Sequence, residues 1–110
     1  MIASATKFKV KGIIEYFTFL RMTGNVIKQA KSSRGLVLIK ANPFNLRTLT
    51  VWKDEMCMKE FRNSSHHLAA MKASANLGTT WSVTWNTNNV PTWRESVKKI
   101  NSKINETKIV

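Results

Sequence analysis

Acidic residues are scarce in this chain. Six Asp and Glu stand against 18 Lys and Arg, a formal net charge of +12 over 110 residues. Such a balance attracts polyanions, anionic membranes or anionic ligands. The cations are scattered, with no block of five or more, which disfavours a dedicated nucleic-acid surface because phosphate affinity needs clustering. Cysteine occurs once, at Cys57. No disulfide can form within the chain, and a reducing cytoplasm is the expected compartment. A Gly-rich phosphate loop, a nucleophile elbow and a cysteine–histidine metal set are all missing. A nucleotide-dependent enzyme, a serine hydrolase and a zinc enzyme are therefore disfavoured. No apolar run approaches the roughly 20 residues needed to span a bilayer. Met1 to Thr6 leads straight into Lys7, Lys9 and Lys11, so no secretory signal peptide is expected.

The remaining composition is that of an ordinary globular protein, with 43% hydrophobic residues and length for one domain, 1–110. Lys7 to Lys11 alternates strictly and predicts a first strand, with Phe8 and Val10 on one face. Its lysines form either a solvated face or an anion-attracting wall. From Ile13 to Lys31 the residues Ile13, Phe17, Leu20 and Ile27 recur at helical spacing, and Tyr16, Phe19 and Met22 widen the stripe. Gly24-Asn25 predicts a kink in this helix. A membrane-surface helix would share the pattern, although a helix packed on a sheet is the commoner cause. Ser32 to Gly35 is a turn. Leu36 to Ala41 is a nearly all-apolar strand, expected to be covered on both faces. Asn42-Pro43-Phe44-Asn45 has turn chemistry and predicts a hairpin to the next strand.

The most informative stretch is Leu46 to Ser74. Leu49 and Val51 alternate with Thr48, Thr50 and Trp52, a strand with two unlike faces. Asp54 then caps a helix, with Glu55 in its first turn. Met58, Phe61, Ser65 and Leu68 fall on one helical face, and Asn63-Ser64-Ser65 interrupts it. The second piece carries His66, His67 and Met71. Adjacent helical residues point about 100° apart, so the two histidines cannot chelate one metal together. No carboxylate or cysteine lies at ligand spacing, and no metal site is expected.

Thr80 to Asn86 alternates again, with Trp81, Val83 and Trp85 opposite Thr80, Ser82 and Thr84. Thr92-Trp93-Arg94-Glu95 is a capping box. It opens an amphipathic helix through Trp93, Val97, Ile100 and Ile104, with Asn105 to Val110 expected to fray. The order is α+β: a ferredoxin-like βαββαβ unit with a four-stranded antiparallel sheet and an extra C-terminal helix. Helices on one face leave the other to be covered, and a second copy of the chain is the expected cover.

The run LTVWKDEMCMKEFRNSSHHLAAM, with Val90 to Trp93 in the tail, resembles the antibiotic-biosynthesis-monooxygenase-like branch of the dimeric α+β barrel superfamily. The resemblance spans about Phe8 to Ile100. It implies a homodimer with a ligand cavity between sheet and helices. Members include cofactor-independent oxygenases of aromatic substrates and haem-degrading enzymes. The haem-degrading branch carries a tryptophan and a histidine where this chain has Phe61 and Met71, which cannot take those roles. Haem is therefore disfavoured and no cofactor is expected. The candidate site comprises His67 and His66 as base, with Thr48, Thr50, Trp52, Phe61 and Met71 lining an apolar pocket. A cofactor-independent monooxygenase acting on a small aromatic or polycyclic molecule is the leading expectation. The alternative is a non-catalytic binding protein of the same fold, whose basic residues recognise an anionic ligand or nucleic acid.

Overall fold

In the computed structural model, which describes residues 1–109 (backbone alone for Ser65 and 107–109), strand formation begins before the lysine alternation. Strand β1 spans Ile2–Val10 and lies between two partners. It pairs antiparallel with β3, Arg47–Trp52, on one side and with β4, Gly78–Asn86, on the other. Ala3 and Ala5 are poor strand formers, but both are fully buried; the double pairing overrides their propensity. Strand β2, Leu36–Asn42, pairs only with β3, giving the order β2-β3-β1-β4. This is the ferredoxin-like sheet that the element order predicts.

Strand β2 packs on both faces as its apolar sequence suggested, Leu36 and Ile39 against one core and Leu38 against the other, but at the edge that cover is partial. Val37 is exposed, and the register slips between Leu36 and Leu38. Such irregularities blunt an open edge. The turn before it depends on Gly35 at φ +81°, where an added Cβ would collide with the Cys57 side chain. The β2–β3 turn is held by Asn42, whose Oδ1 accepts from the Phe44 amide at 2.9 Å. Leu46 closes it at φ 55° and is buried.

Helix α1 spans Ile13–Lys31 without a break at Gly24. The glycine faces open space, so nothing forces a kink there. The helix also lies rotated from the predicted stripe. Ile13 and Phe17 point to solvent, while Phe19 stacks on Phe8 of the sheet with centroids 4.0 Å apart. Asp54 accepts from the Cys57 amide at 2.9 Å and starts α2, Glu55–Arg62. The chain breaks at Asn63-Ser64. The Ser64 hydroxyl donates back to the Phe61 carbonyl at 2.6 Å and so closes α2, before α3 runs from Ser65 to Leu77. The break turns Leu68 outward, off the face it would share with Met58 and Phe61 in one continuous helix.

Helix α4, Trp93–Ile109, opens on the predicted capping box: the Glu95 amide donates to Thr92 Oγ1 at 3.2 Å. It stays helical beyond Asn105 to Ile109; the predicted fraying of Val110 lies outside the described residues. It packs on β1 and β4, on the sheet face away from α1 to α3. Two cores result. Ile2, Ala30, Trp52, Cys57, Met58 and Phe61 fill one side of the sheet; Ala3, Leu49 and Val51, with Leu38, Trp85 and Trp93, fill the other. Among the described residues, no helix is long and apolar enough to cross a membrane.

Candidate functional site

Between the sheet and α1 to α3 lies a cavity of about 470 Å³, within the range that holds small organic ligands. Its floor follows from strand alternation. Ser4 and Thr6 of β1, Thr48 and Thr50 of β3, and Thr80, Ser82 and Thr84 of β4 all line it. The register sets them in rows: Thr50, Ser4 and Thr84 cross the sheet side by side, as do Thr48, Thr6 and Ser82. These positions would carry Val or Leu if the helices packed tightly onto the sheet. The hydroxyls of Ser4, Thr6, Thr48 and Thr50 are half-buried, and those of Thr80, Ser82 and Thr84 on the edge strand are exposed, so the floor is open to water along β4. Their internal bonds are long: Thr50 Oγ1 to the Ser4 carbonyl and Thr84 Oγ1 to Ser4 Oγ are each 3.4 Å.

The roof is apolar. Phe19, Met22, Val26 and Ile27 descend from α1, and Met58, Phe61 and Met71 from the broken helix. The stacked Phe8–Phe19 pair stands at one end of the floor. At the other, Trp52 stacks on Phe61 with centroids 5.1 Å apart, and Phe61 meets the His67 ring edge-on at 5.0 Å.

His67 is half-buried. Its Nδ1 lies 3.1 Å from the Arg62 carbonyl oxygen, which can only accept, so Nδ1 carries the proton. Nε2 is left with its lone pair, the tautomer a general base requires. Burial pushes the imidazole below its ordinary pKa of 6.5, outweighing the opposing bond to the carbonyl. The ring is therefore neutral at pH 7. Arg62 also lines the cavity; its Nη2 lies 3.5 Å from Thr84 Oγ1, and among the described residues no carboxylate pairs with it.

Of the residues proposed from sequence, Thr48, Thr50, Trp52, Phe61, His67 and Met71 come together around this one cavity. His66 does not; it is exposed on the outer side of α3. Sequence reasoning overlooked Ser4, Thr6 and Arg62. For Ser4 and Thr6 the signal was Ser-x-Thr alternation between Ile2 and Phe8; Arg62 looked like an ordinary basic last turn. Cys57 is buried beneath Gly35, and its hydrogen bonding with Asp54, aided by burial, raises the thiol pKa. It is no candidate nucleophile. Among the described residues no cluster of three metal-ligating side chains exists.

No family model matches this sequence, and no curated protein matches it. Solved structures do. The chain is similar to SnoaB, a cofactor-independent oxygenase from Streptomyces nogalater, at 14% identity and a TM-score of 0.65, over 81% of this chain and 94% of that one. It is similar to a conserved protein from Methanosarcina mazei at 19% identity and TM-score 0.70, over 79% and 92%. A proposed antibiotic biosynthesis monooxygenase from Deinococcus radiodurans superimposes at 10% identity and TM-score 0.69, over 84% and 97%. The fold is that of the antibiotic-biosynthesis-monooxygenase-like, ferredoxin-like proteins.

Proposed function

We propose that this protein is a cofactor-independent monooxygenase acting on a small aromatic or polycyclic molecule held in the cavity of each subunit. One observation carries the reading: a neutral imidazole, oriented by the Arg62 carbonyl, sits at the end of a ligand-sized cavity walled by Trp52 and Phe61. The similarity in fold to SnoaB supports it.

The chemistry follows from those parts. A flat ligand lies between the apolar roof and the hydroxyl floor, which bonds its oxygen substituents. His67 Nε2 takes a proton from an acidic methylene of the ligand, and the ring system delocalises the resulting carbanion. Arg62, at the cavity edge, offsets the developing negative charge. The carbanion gives its electrons to dioxygen; a C–O bond forms, and the hydroperoxide then loses water to leave a carbonyl. One oxygen atom enters the ligand and the other leaves as water. The methylene supplies all four electrons, so no metal or flavin is required. The apolar roof limits the access of water that would reprotonate the carbanion.

The fold's second sheet face, where Trp81 of β4 is only half-buried, is taken in this reading as the face that receives a second copy. Sedimentation velocity on wild type and Trp81→Ala tests that pairing.

The decisive assay follows oxygen uptake with tricyclic ketones that carry an acidic methylene, in parallel with ligand binding by tryptophan fluorescence. His67→Ala is expected to retain binding while turnover falls by about a hundredfold or more, the usual contribution of a general base. Binding without oxygen uptake in the wild type would favour the non-catalytic reading.

A further inference from the structure

The end of the molecule opposite Trp52 carries a feature that the cavity does not use. Helix α1 begins there beside the β2–β3 turn, and the Tyr16 hydroxyl donates to the Pro43 carbonyl at 2.7 Å. Phe17 meets the Tyr16 ring edge-on at 5.5 Å. Ile13, Ile14, Phe17 and Phe44 project from this junction with 74%, 76%, 63% and 89% of their surface exposed. Phe44 stands at the tip of the turn. An apolar cluster that exposed is uncommon on a protein acting alone in water.

Charge gathers at the same end. Lys9 and Lys11 lead into α1, and Lys7 lies directly across the strand pair from Arg47. Like charges so placed repel, and burial followed by the Arg47 charge lowers the Lys7 pKa. Neither residue has a carboxylate partner among the described residues. Three of the six acids, Asp54, Glu55 and Glu60, sit at the far end on α2 and its cap, where Arg34 and Lys59 pair with Glu60 and Glu55. At the α1 end the cations Lys7, Lys9, Lys11 and Arg47 outnumber the acid Glu15 of the first helical turn, and they border the exposed apolar side chains.

We propose that this end docks on an anionic lipid bilayer, with Phe17, Phe44, Ile13 and Ile14 entering the headgroup boundary and the surrounding lysines meeting lipid phosphates. A second copy of the chain suits this end poorly, because each +12 chain would bring the same cationic rim against itself. No helix needs to span the bilayer; interfacial docking combines shallow apolar insertion with attraction to anionic lipid.

The test is vesicle co-sedimentation of the full chain, using phosphatidylcholine alone and phosphatidylcholine mixed with phosphatidylglycerol. Wild type is expected to pellet with the mixed vesicles only and to be released by raised salt. Phe17→Ser/Phe44→Ser and Lys9→Glu/Lys11→Glu are each expected to weaken binding about tenfold. All four positions are exposed, and circular dichroism verifies that the variants fold. Failure to pellet, equal affinity for both vesicles, or unchanged binding by the phenylalanine variant overturns the proposal. So does a dimer in sedimentation velocity that the phenylalanine variant dissociates, which makes the ridge a self-association face.

Discussion

His67 Nδ1 donates to the Arg62 carbonyl at 3.1 Å, across the gap between α2 and α3. The carbonyl belongs to the last turn of α2, where helical acceptors lack partners along the helix. Breaking the helix therefore frees a backbone oxygen and brings round, five residues later, the side chain that binds it. The same bond fixes which imidazole nitrogen keeps its lone pair.

That fixed tautomer has a pH signature. The folded state lowers the His67 pKa below 6.5, so turnover is expected to be flat above that value and to fall on the acid side. Stability moves in the same direction. Below pH 6.5 the unfolded chain takes up a proton that the folded ring resists, and stability is lost as pH falls through the folded value. Nitrogen-15 NMR of the ring checks both the midpoint and the Nδ1–H form.

Trp52 is 1% exposed and stacks on Phe61. Trp52→Ala is expected to cost about 3–5 kcal/mol, read as a lower urea midpoint at unchanged slope. An unchanged midpoint would mean that the indole is not part of the core.

Gly35→Ala combines a left-handed φ with a collision against Cys57. A loss of about 1–3 kcal/mol is expected from the backbone alone, measured by denaturant unfolding. A second change, Cys57→Ala, should recover part of the loss if the collision contributes.

The hydroxyl floor separates stability from binding. Thr6→Val keeps the side-chain shape and is expected to leave stability within about 1 kcal/mol, while binding of an oxygenated aromatic weakens about three- to tenfold. Calorimetry on both quantities decides it. Equal binding by the variant would show that ligands do not touch this row.

Much of this was legible in the sequence where one periodicity dominated. Thr48, Thr50 and Trp52 fall on the cavity side because strict alternation leaves no other choice, and the Asp54 cap marks the helix that carries Phe61. The first strand was half hidden. Ala3 and Ala5 lack the β-branched signature and become strand only through long-range pairing with β3 and β4. Helix α1 misled for the opposite reason. Its apolar residues circle much of the helix, so spacing put Ile13 and Phe17 in the same stripe as Phe19, Met22 and Ile27, whereas packing kept the last three, added Ala30 and left Ile13 and Phe17 in solvent. Arg62 gave no local sign at all; only the break after it aims both its guanidinium and its carbonyl at the site.

The seven serine and threonine side chains beneath the cavity are rotors. Each hydroxyl exchanges donor for acceptor by turning about one bond, so the floor imposes no fixed hydrogen-bond pattern on what lies over it. Under the proposed function, choice among flat molecules then passes to the outline drawn by Phe19, Met22, Ile27 and Met71. Substitutions in α1 and α3 would retune the preferred ring system, and the strands could stay as they are.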